Sequence, residues 1–169
     1  MTISMYKASV PMFERQLTGM LSWLEKAETH AKARGFDSVN YLQLRLAPDM
    51  LPLVSQVRIT SDTAKGCVAR LAGMEPPKFE DNEANMADLI ARVQKTLDYV
   101  REAQPEAIDG SEQREIVIPM RTRDALKFSG EFYLRHFALP NFFFHASMTY
   151  ALLRHGGVVL GKADFLALE

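Results

Sequence analysis

The sequence predicts an all-α fold: a four-helix bundle with a small β-hairpin inserted before the last helix. Four long segments carry apolar residues at helical spacing, and short to medium connections join them. The repeated strand–helix alternation that an α/β fold requires is missing from the pattern, which contains only one pair of short strand-like segments. A chain of 169 residues suits a single domain, 1–169, with a substantial core.

The first two helices have recognisable signals at their ends. The first is predicted over residues 5–34, with Gly35 as its stop. Ser9 could cap it, in which case residues 3–8 form a separate short piece or a kinked extension. A short helical link follows it. The second helix is predicted to begin near Asp49, acting as an N-cap, and to end at Gly73.

The third helix is predicted over residues 83–103. Its charged positions are interpreted as a solvated outer face, formed by Asp88, Arg92, Lys95 and Arg101. Proline and glycine between residues 105 and 110 interrupt the helical pattern. The apolar runs at 115–118 and 125–128, joined around residues 119–124, then predict the hairpin.

The last long helix is predicted to begin at Pro140 and to stop at Gly156-Gly157. It is apolar nearly all round, so it must lie inside a protein core. Within it, Asn141 and His145 are one turn apart on the same face. Buried polar groups cost free energy unless they have partners, which makes this pair the best candidate site in the chain.

Two interpretations of His145 are open. The ring could line a pocket with Asn141, where an imidazole near neutrality can act as a general base. It could instead be a core histidine whose nitrogens are satisfied by an amide and a backbone carbonyl. No Gly-x-Ser-x-Gly elbow, phosphate loop or dinucleotide fingerprint accompanies it.

Composition excludes several function classes. A net charge of −1 gives no general electrostatic case for binding nucleic acid or anionic membranes. No stretch approaches the ~18 apolar residues needed to cross a bilayer, and the first residues lack a signal-peptide pattern. The single Cys67 cannot form an internal disulfide and is expected to be a buried structural thiol. We therefore expect a cytoplasmic protein.

The chain also carries motifs that extend over almost its whole length. They are Ser4-Met5-Tyr6, Ser9-Val10-Pro11-Met12-Phe13, Arg45-Leu46-Ala47-Pro48-Asp49-Met50, Ala138-Leu139-Pro140-Asn141-Phe142 and Gly161-Lys162-Ala163-Asp164-Phe165-Leu166. With these motifs the chain resembles an uncharacterised bacterial family related to the DinB and YfiT-like four-helix bundles. The resemblance implies a DinB-like bundle and supplies no established activity.

DinB-like proteins commonly bind a divalent metal through three histidines, one from the second helix and two from the last at i and i+4. By helix position His145 matches the second of that last pair, Asn141 takes the place of the first, and Gln56 is the nearest equivalent on the second helix. Amide oxygens are weak, uncharged ligands and make a poor zinc site. We therefore expect no metal and no cofactor.

The leading functional prediction is a small ligand bound between the second and last long helices by His145, Asn141 and Gln56. One alternative is a metal-dependent enzyme of the thiol-transferase or isomerase kind. Another is a structural or stress-associated homodimer without a catalytic site. A homodimer is expected in any case, because the adjacent rings of Phe142, Phe143 and Phe144 point in different directions on a helix and one of them can face a partner chain.

Overall fold

The computed structural model describes residues 3–119, 122 and 124–167. Four long helices dominate it: α1 (Val10–Arg34), α2 (Leu53–Leu71), α3 (Met86–Arg101) and α6 (Leu139–His155). The shorter elements are a 3₁₀-helix (Ser38–Gln43), α4 (Pro105–Ile108), β1 (Glu115–Ile118), β2 (Leu126–Ser129), α5 (Gly130–Tyr133), a π-helix (Leu134–Ala138) and α7 (Lys162–Leu166).

The long helices form the predicted bundle. Helix α1 packs against α3, α2 packs against both α3 and α6, and α7 lies on α1. Large side chains fill the space between them, among them Phe13, Trp23, Tyr133 and Phe142, all fully buried. The all-α bundle with a hairpin ahead of the last long helix is thus confirmed.

The hairpin pairs β1 with β2 in antiparallel register, with Glu115 opposite Ser129 and Ile118 opposite Leu126. The second strand lies one residue further along than predicted. Residues 120, 121 and 123 of the expected connection lie outside the described residues. No helix in the described part of the chain is long and apolar enough to span a bilayer.

Two helix starts differ from the prediction. Helix α1 begins at Val10, and the hydroxyl of Ser9 donates backward to the Met5 carbonyl at 2.7 Å instead of capping the helix. Helix α2 begins at Leu53, not near Asp49, and Pro52 precedes it in an extended conformation. Proline disfavours helical backbone in the residue before it, so the sequence up to Leu51 cannot join the helix.

The last long helix does not begin at Pro140. The chain is already helical from Gly130, and a π-turn over Leu134–Ala138 connects α5 to α6 without a break. A proline inside a helix lacks the N–H for an i→i−4 bond, and its ring collides with the carbonyl four residues earlier. The wider π-turn immediately before Pro140 relieves that conflict, so the helix continues.

Arg92 was predicted on a solvated face, and that prediction is wrong. The residue is only 5% exposed. Its guanidinium donates to Glu83 at 2.6 Å and to Asp62 at 2.9 Å, and Glu83 also accepts from Arg58 at 2.5 Å. The segment before α3 folds back over Arg92, so a position that faces outward on the helix is covered by the chain itself.

Glu83 gives this network a defined pH dependence. Burial acts to raise the pKa of Glu83, but hydrogen bonds from Arg92, from its own backbone and from Arg58 outweigh burial and hold the pKa below its ordinary value of 4.5. A depressed carboxyl pKa contributes stability above the unfolded-state pKa, and that stability is lost as pH falls through the folded-state pKa.

We therefore expect Glu83→Gln to lower the free energy of unfolding at pH 7 by about 3 kcal/mol, because the buried Arg92 and the half-buried Arg58 lose their shared carboxylate. The variant should also lose less stability than the parent between pH 5 and pH 3. Urea unfolding across that range measures both effects. Glu80→Gln, an exposed carboxylate that accepts only from Asn82, is the matched control. Equal acid sensitivity in parent and Glu83→Gln would contradict this account.

Candidate functional site

Helices α2 and α6 bring two of the three predicted site residues into direct contact. Gln56 lies in the first turn of α2, and His145 lies near the middle of α6. The Gln56 side-chain oxygen and His145 Nδ1 are 2.7 Å apart. Gln56 is almost completely buried and the His145 ring is 9% exposed, so the hydrogen bond lies largely out of water.

The orientation of the Gln56 amide determines which ring nitrogen carries the proton. The amide nitrogen donates to the Leu51 carbonyl at 2.9 Å, which leaves the amide oxygen facing His145. An amide oxygen can only accept, so Nδ1 of the ring must be the donor. In the neutral ring Nε2 then carries a lone pair and no hydrogen.

This lone pair is not used by the described part of the protein. Nε2 has no hydrogen-bond partner among the described residues. It also differs from the unpaired side-chain atoms that are shielded from solvent, since it is not among them. It therefore reaches solvent. Burial lowers the pKa of His145 from its ordinary value of 6.5, so the ring is neutral at pH 7 and Nε2 is a hydrogen-bond acceptor.

Asn141, the third predicted residue, lies one turn before His145 but is not bonded to it. Its amide nitrogen donates to the Thr63 hydroxyl of α2 at 2.8 Å, and the residue is half-buried. Asn141 thus connects α6 to α2 independently of the Gln56–His145 pair. Thr63 has no distinguishing signal in the sequence, because its role depends entirely on how the two helices pack.

An exposed aromatic side chain lies next to the His145 ring. Phe144 is 51% exposed, and its ring stands nearly perpendicular to that of His145 with the centroids 5.1 Å apart. Leu51, whose carbonyl holds Gln56, is also exposed. The neighbouring Phe142 is fully buried and packs edge-on against Phe13. The adjacent phenylalanines therefore do point in different directions, and Phe144 is the one that faces outward.

Another histidine and the single cysteine make contacts away from this pair. His30 Nδ1 lies 2.5 Å from the Tyr41 hydroxyl, so the ring connects α1 to the 3₁₀-helix. Cys67 is fully buried, as expected, and burial raises the pKa of its thiol, which keeps it protonated. Cys67 is therefore not a nucleophile open to a ligand.

The donor set does not fit the divalent metal that DinB-like proteins commonly bind. No group of three His, Cys, Asp or Glu side chains able to hold a metal occurs in residues 3–119, 122 and 124–167. One imidazole remains, and the Gln56 oxygen is already engaged by that imidazole. Two neutral amides beside one histidine are weak ligands for zinc. We therefore assign no step to a metal, and the expected lack of a metal stays a prediction.

We expect His145→Leu to destabilise the protein by about 1–3 kcal/mol, because the buried Gln56 oxygen loses its donor. Gln56→Leu should have a similar effect, and the double variant should cost less than the sum of the two. Urea unfolding of the four proteins measures the coupling. His155→Leu, an exposed histidine on the same helix, is the control. A His145→Leu variant more stable than the parent would show that the hydrogen bond does not support the fold and that these polar groups are arranged for a ligand alone.

The comparisons with known proteins agree with this architecture. Residues 5–166 match the family described as a domain of unknown function, DUF1993. The crystal structure of a DinB family member protein from Shewanella denitrificans is similar, with a TM-score of 0.84 and 33% sequence identity over 95% of this chain and 90% of that chain. No protein of curated function matches the chain. The predicted resemblance is confirmed: the chain belongs to the DUF1993 family and has the DinB-like fold.

Proposed function

We propose that this protein binds a small ligand between α2 and α6 through His145, Gln56 and Asn141. The observation that carries the proposal is the lone pair on His145 Nε2. Gln56 fixes the ring from its other side, and no described residue occupies Nε2. A hydrogen-bond acceptor held in place and left open to solvent is suited to a ligand that donates an O–H, N–H or S–H group.

The surroundings of the ring favour a ligand with an apolar part. Phe144 presents exposed apolar surface beside the His145 ring. Asn141 adds a polar group one turn away, with its amide nitrogen already bonded to Thr63. The ligand would then place its donor on Nε2 and its apolar part against Phe144, a combination typical of small-molecule sites.

The same geometry supports proton transfer. If the bound group is acidic enough, Nε2 can accept its proton as a general base. The imidazolium formed in this way would keep its Nδ1–H bond to the Gln56 oxygen, which stabilises the charge. Such a step needs only His145 and the ligand. The cytoplasmic location and the lack of nucleic-acid and membrane partners stay predictions from the sequence.

Phenol and toluene test the proposal, because they share an aromatic ring and only phenol has a donor. We expect phenol to bind the parent protein more tightly than toluene and to shift the imidazole nitrogen signals of His145 in long-range ¹H–¹⁵N spectra. Binding should weaken as pH falls below the pKa of His145, since a protonated Nε2 cannot accept. His145→Leu should abolish the preference for phenol, and His155→Leu should leave it intact.

The same spectra report the tautomer of the ring without any ligand. A hydrogen on Nε2 in the neutral ring would contradict the proposed acceptor. Equal affinity for phenol and toluene would show that the ring is only a satisfied core group, with the apolar rim accounting for any binding.

We also propose that the chain forms a homodimer through the outer face of α5 and α6, with Phe144 at the edge of the interface so that its ring contacts both the partner chain and the ligand. Phe132, His136, Pro140 and Phe144 recur every four residues along this continuous helix, and all four are exposed. Phe132 and Phe144 are each about half exposed, at 52% and 51%. An apolar stripe of this kind on a soluble surface is typical of an interaction site.

We expect Phe132→Ser combined with Phe144→Ser to convert the dimer to a monomer, because the apolar contact is lost. Sedimentation equilibrium measures the mass directly. Val159→Ser removes an exposed apolar side chain from a loop elsewhere and should leave the dimer unchanged. A parent protein that sediments as a monomer, or a double variant that stays dimeric, would rule out this interface.

A further inference from the structure

A cavity lies at the end of the bundle opposite His145, where α2 and α3 end and α4 begins. Its volume is about 240 Å³. Aliphatic side chains form most of its wall: Val68, Ala72, Ala103, Ala107 and Ile108. Tyr99, Met74, Gln104 and Glu102 complete the lining. The cavity is therefore largely apolar and has the size for a small organic molecule rather than for a macromolecular segment.

Glu102 is the single charged residue of this lining. Its carboxylate makes no hydrogen bond or ion pair with any residue in the described part of the chain, and the same holds for the Tyr99 hydroxyl. Tyr99 and Glu102 are three residues apart at the end of α3 and so lie on one face, and burial and then the charge of Glu102 raise the pKa of Tyr99. The mouth of the cavity thus has a negative charge and an aromatic ring without a positive partner.

The end of α3 adds to this negative potential. Helix α3 ends at Arg101, and the C-terminal end of a helix carries a partial negative charge. Arg101, the basic residue of its last turn, pairs with Glu14 at 2.8 Å. At the end of α2 the partial charge is offset, because Arg70 lies in its last turn and Arg114 donates to the Leu71 carbonyl. No basic residue lines the cavity, so Glu102 and the end of α3 still attract a cation.

We propose that this cavity binds a small organic ammonium ion with an apolar body. The apolar body fills the aliphatic wall, and the ammonium group lies at the mouth between the Glu102 carboxylate and the Tyr99 ring. Carboxylates and aromatic faces both attract ammonium groups, and the apolar wall selects against simple inorganic cations. This site is separate from His145 and does not depend on the function proposed there.

Benzylammonium, benzyl alcohol and benzoate test the proposal on the full chain, since they share a ring and differ in charge. We expect benzylammonium to bind most tightly and benzoate least, with the Met74 methyl signal shifting in ¹H–¹³C spectra. Glu102→Gln should weaken benzylammonium about two- to fivefold, which is the range for a partly exposed ion pair. Glu106→Gln removes an exposed carboxylate of α4 outside the cavity and should leave the affinity unchanged.

Ala107→Leu fills the cavity without removing a charge and should abolish binding in a protein that still melts cooperatively. His145→Leu should leave benzylammonium binding intact, which separates this proposal from the first. Equal affinity for benzylammonium and benzyl alcohol, or no effect of Glu102→Gln, would overturn the assignment of a cation site. Failure of all three probes to bind would overturn the site itself. A change in sedimenting mass on Ala107→Leu would identify the cavity as a subunit contact and would also overturn it.

Discussion

The enclosure of α2 is the constraint on which the rest of the structure depends. This helix packs against α3 on one side and α6 on the other, and most of its residues are buried. Polar side chains in such a helix are stabilised by partners on its neighbours, because an unpaired buried polar group costs about 1–3 kcal/mol. Arg58 and Asp62 find theirs in Glu83 and Arg92, while Gln56 finds His145.

The two hydrogen-bond networks differ in whether they leave a polar atom accessible to a ligand. On the α3 side the acceptors are themselves shared: Glu83 takes hydrogen bonds from two guanidinium groups, so the network is directed inward and holds the segment before α3 in place. On the α6 side the chain of hydrogen bonds runs from His145 through Gln56 to the Leu51 carbonyl, and its outer end is Nε2. The Glu83 network therefore stabilises the packing of α2 against α3. The free Nε2 at the end of the other chain of hydrogen bonds is the reason why a ligand site is proposed at His145.

Much of the architecture could be predicted from the sequence, because helical periodicity is a local signal. The long helices follow from it, and the hairpin follows from two short apolar runs. The position of Gln56 opposite His145 was implied by the resemblance to DinB-like proteins and not by periodicity. The sequence could not predict burial that arises only when one segment of the chain folds over another. Arg92 occupies an outward position on α3 and becomes buried only because the preceding segment folds over it.

Local backbone effects account for the other differences. The start of α2 is set by Pro52, whose influence on Leu51 outweighs the capping tendency of Asp49. Pro140 has the opposite outcome: it would normally open a helix, but the π-turn ahead of it lets the helix continue from Gly130. Thr63 could not be identified as a site neighbour, since its hydrogen bond to Asn141 forms only when α2 lies against α6. Leu51 could not be identified either, since its carbonyl meets Gln56 only because the chain is extended at Pro52.

Helix α2 separates the two candidate sites. At about 1.5 Å per residue, Gln56 and Ala72 are about 24 Å apart along the helix, well beyond the ~8 Å over which exposed charges act at physiological salt. The positive N-terminal end of α2 lies beside His145 and disfavours an imidazolium there, in the same direction as the burial that lowers the pKa of the ring. At the C-terminal end of α2, Arg70 and Arg114 offset the partial negative charge, so the proposed ammonium site depends on Glu102 and on the end of α3. The two proposed sites therefore have separate electrostatic origins, and neither requires the other to be occupied.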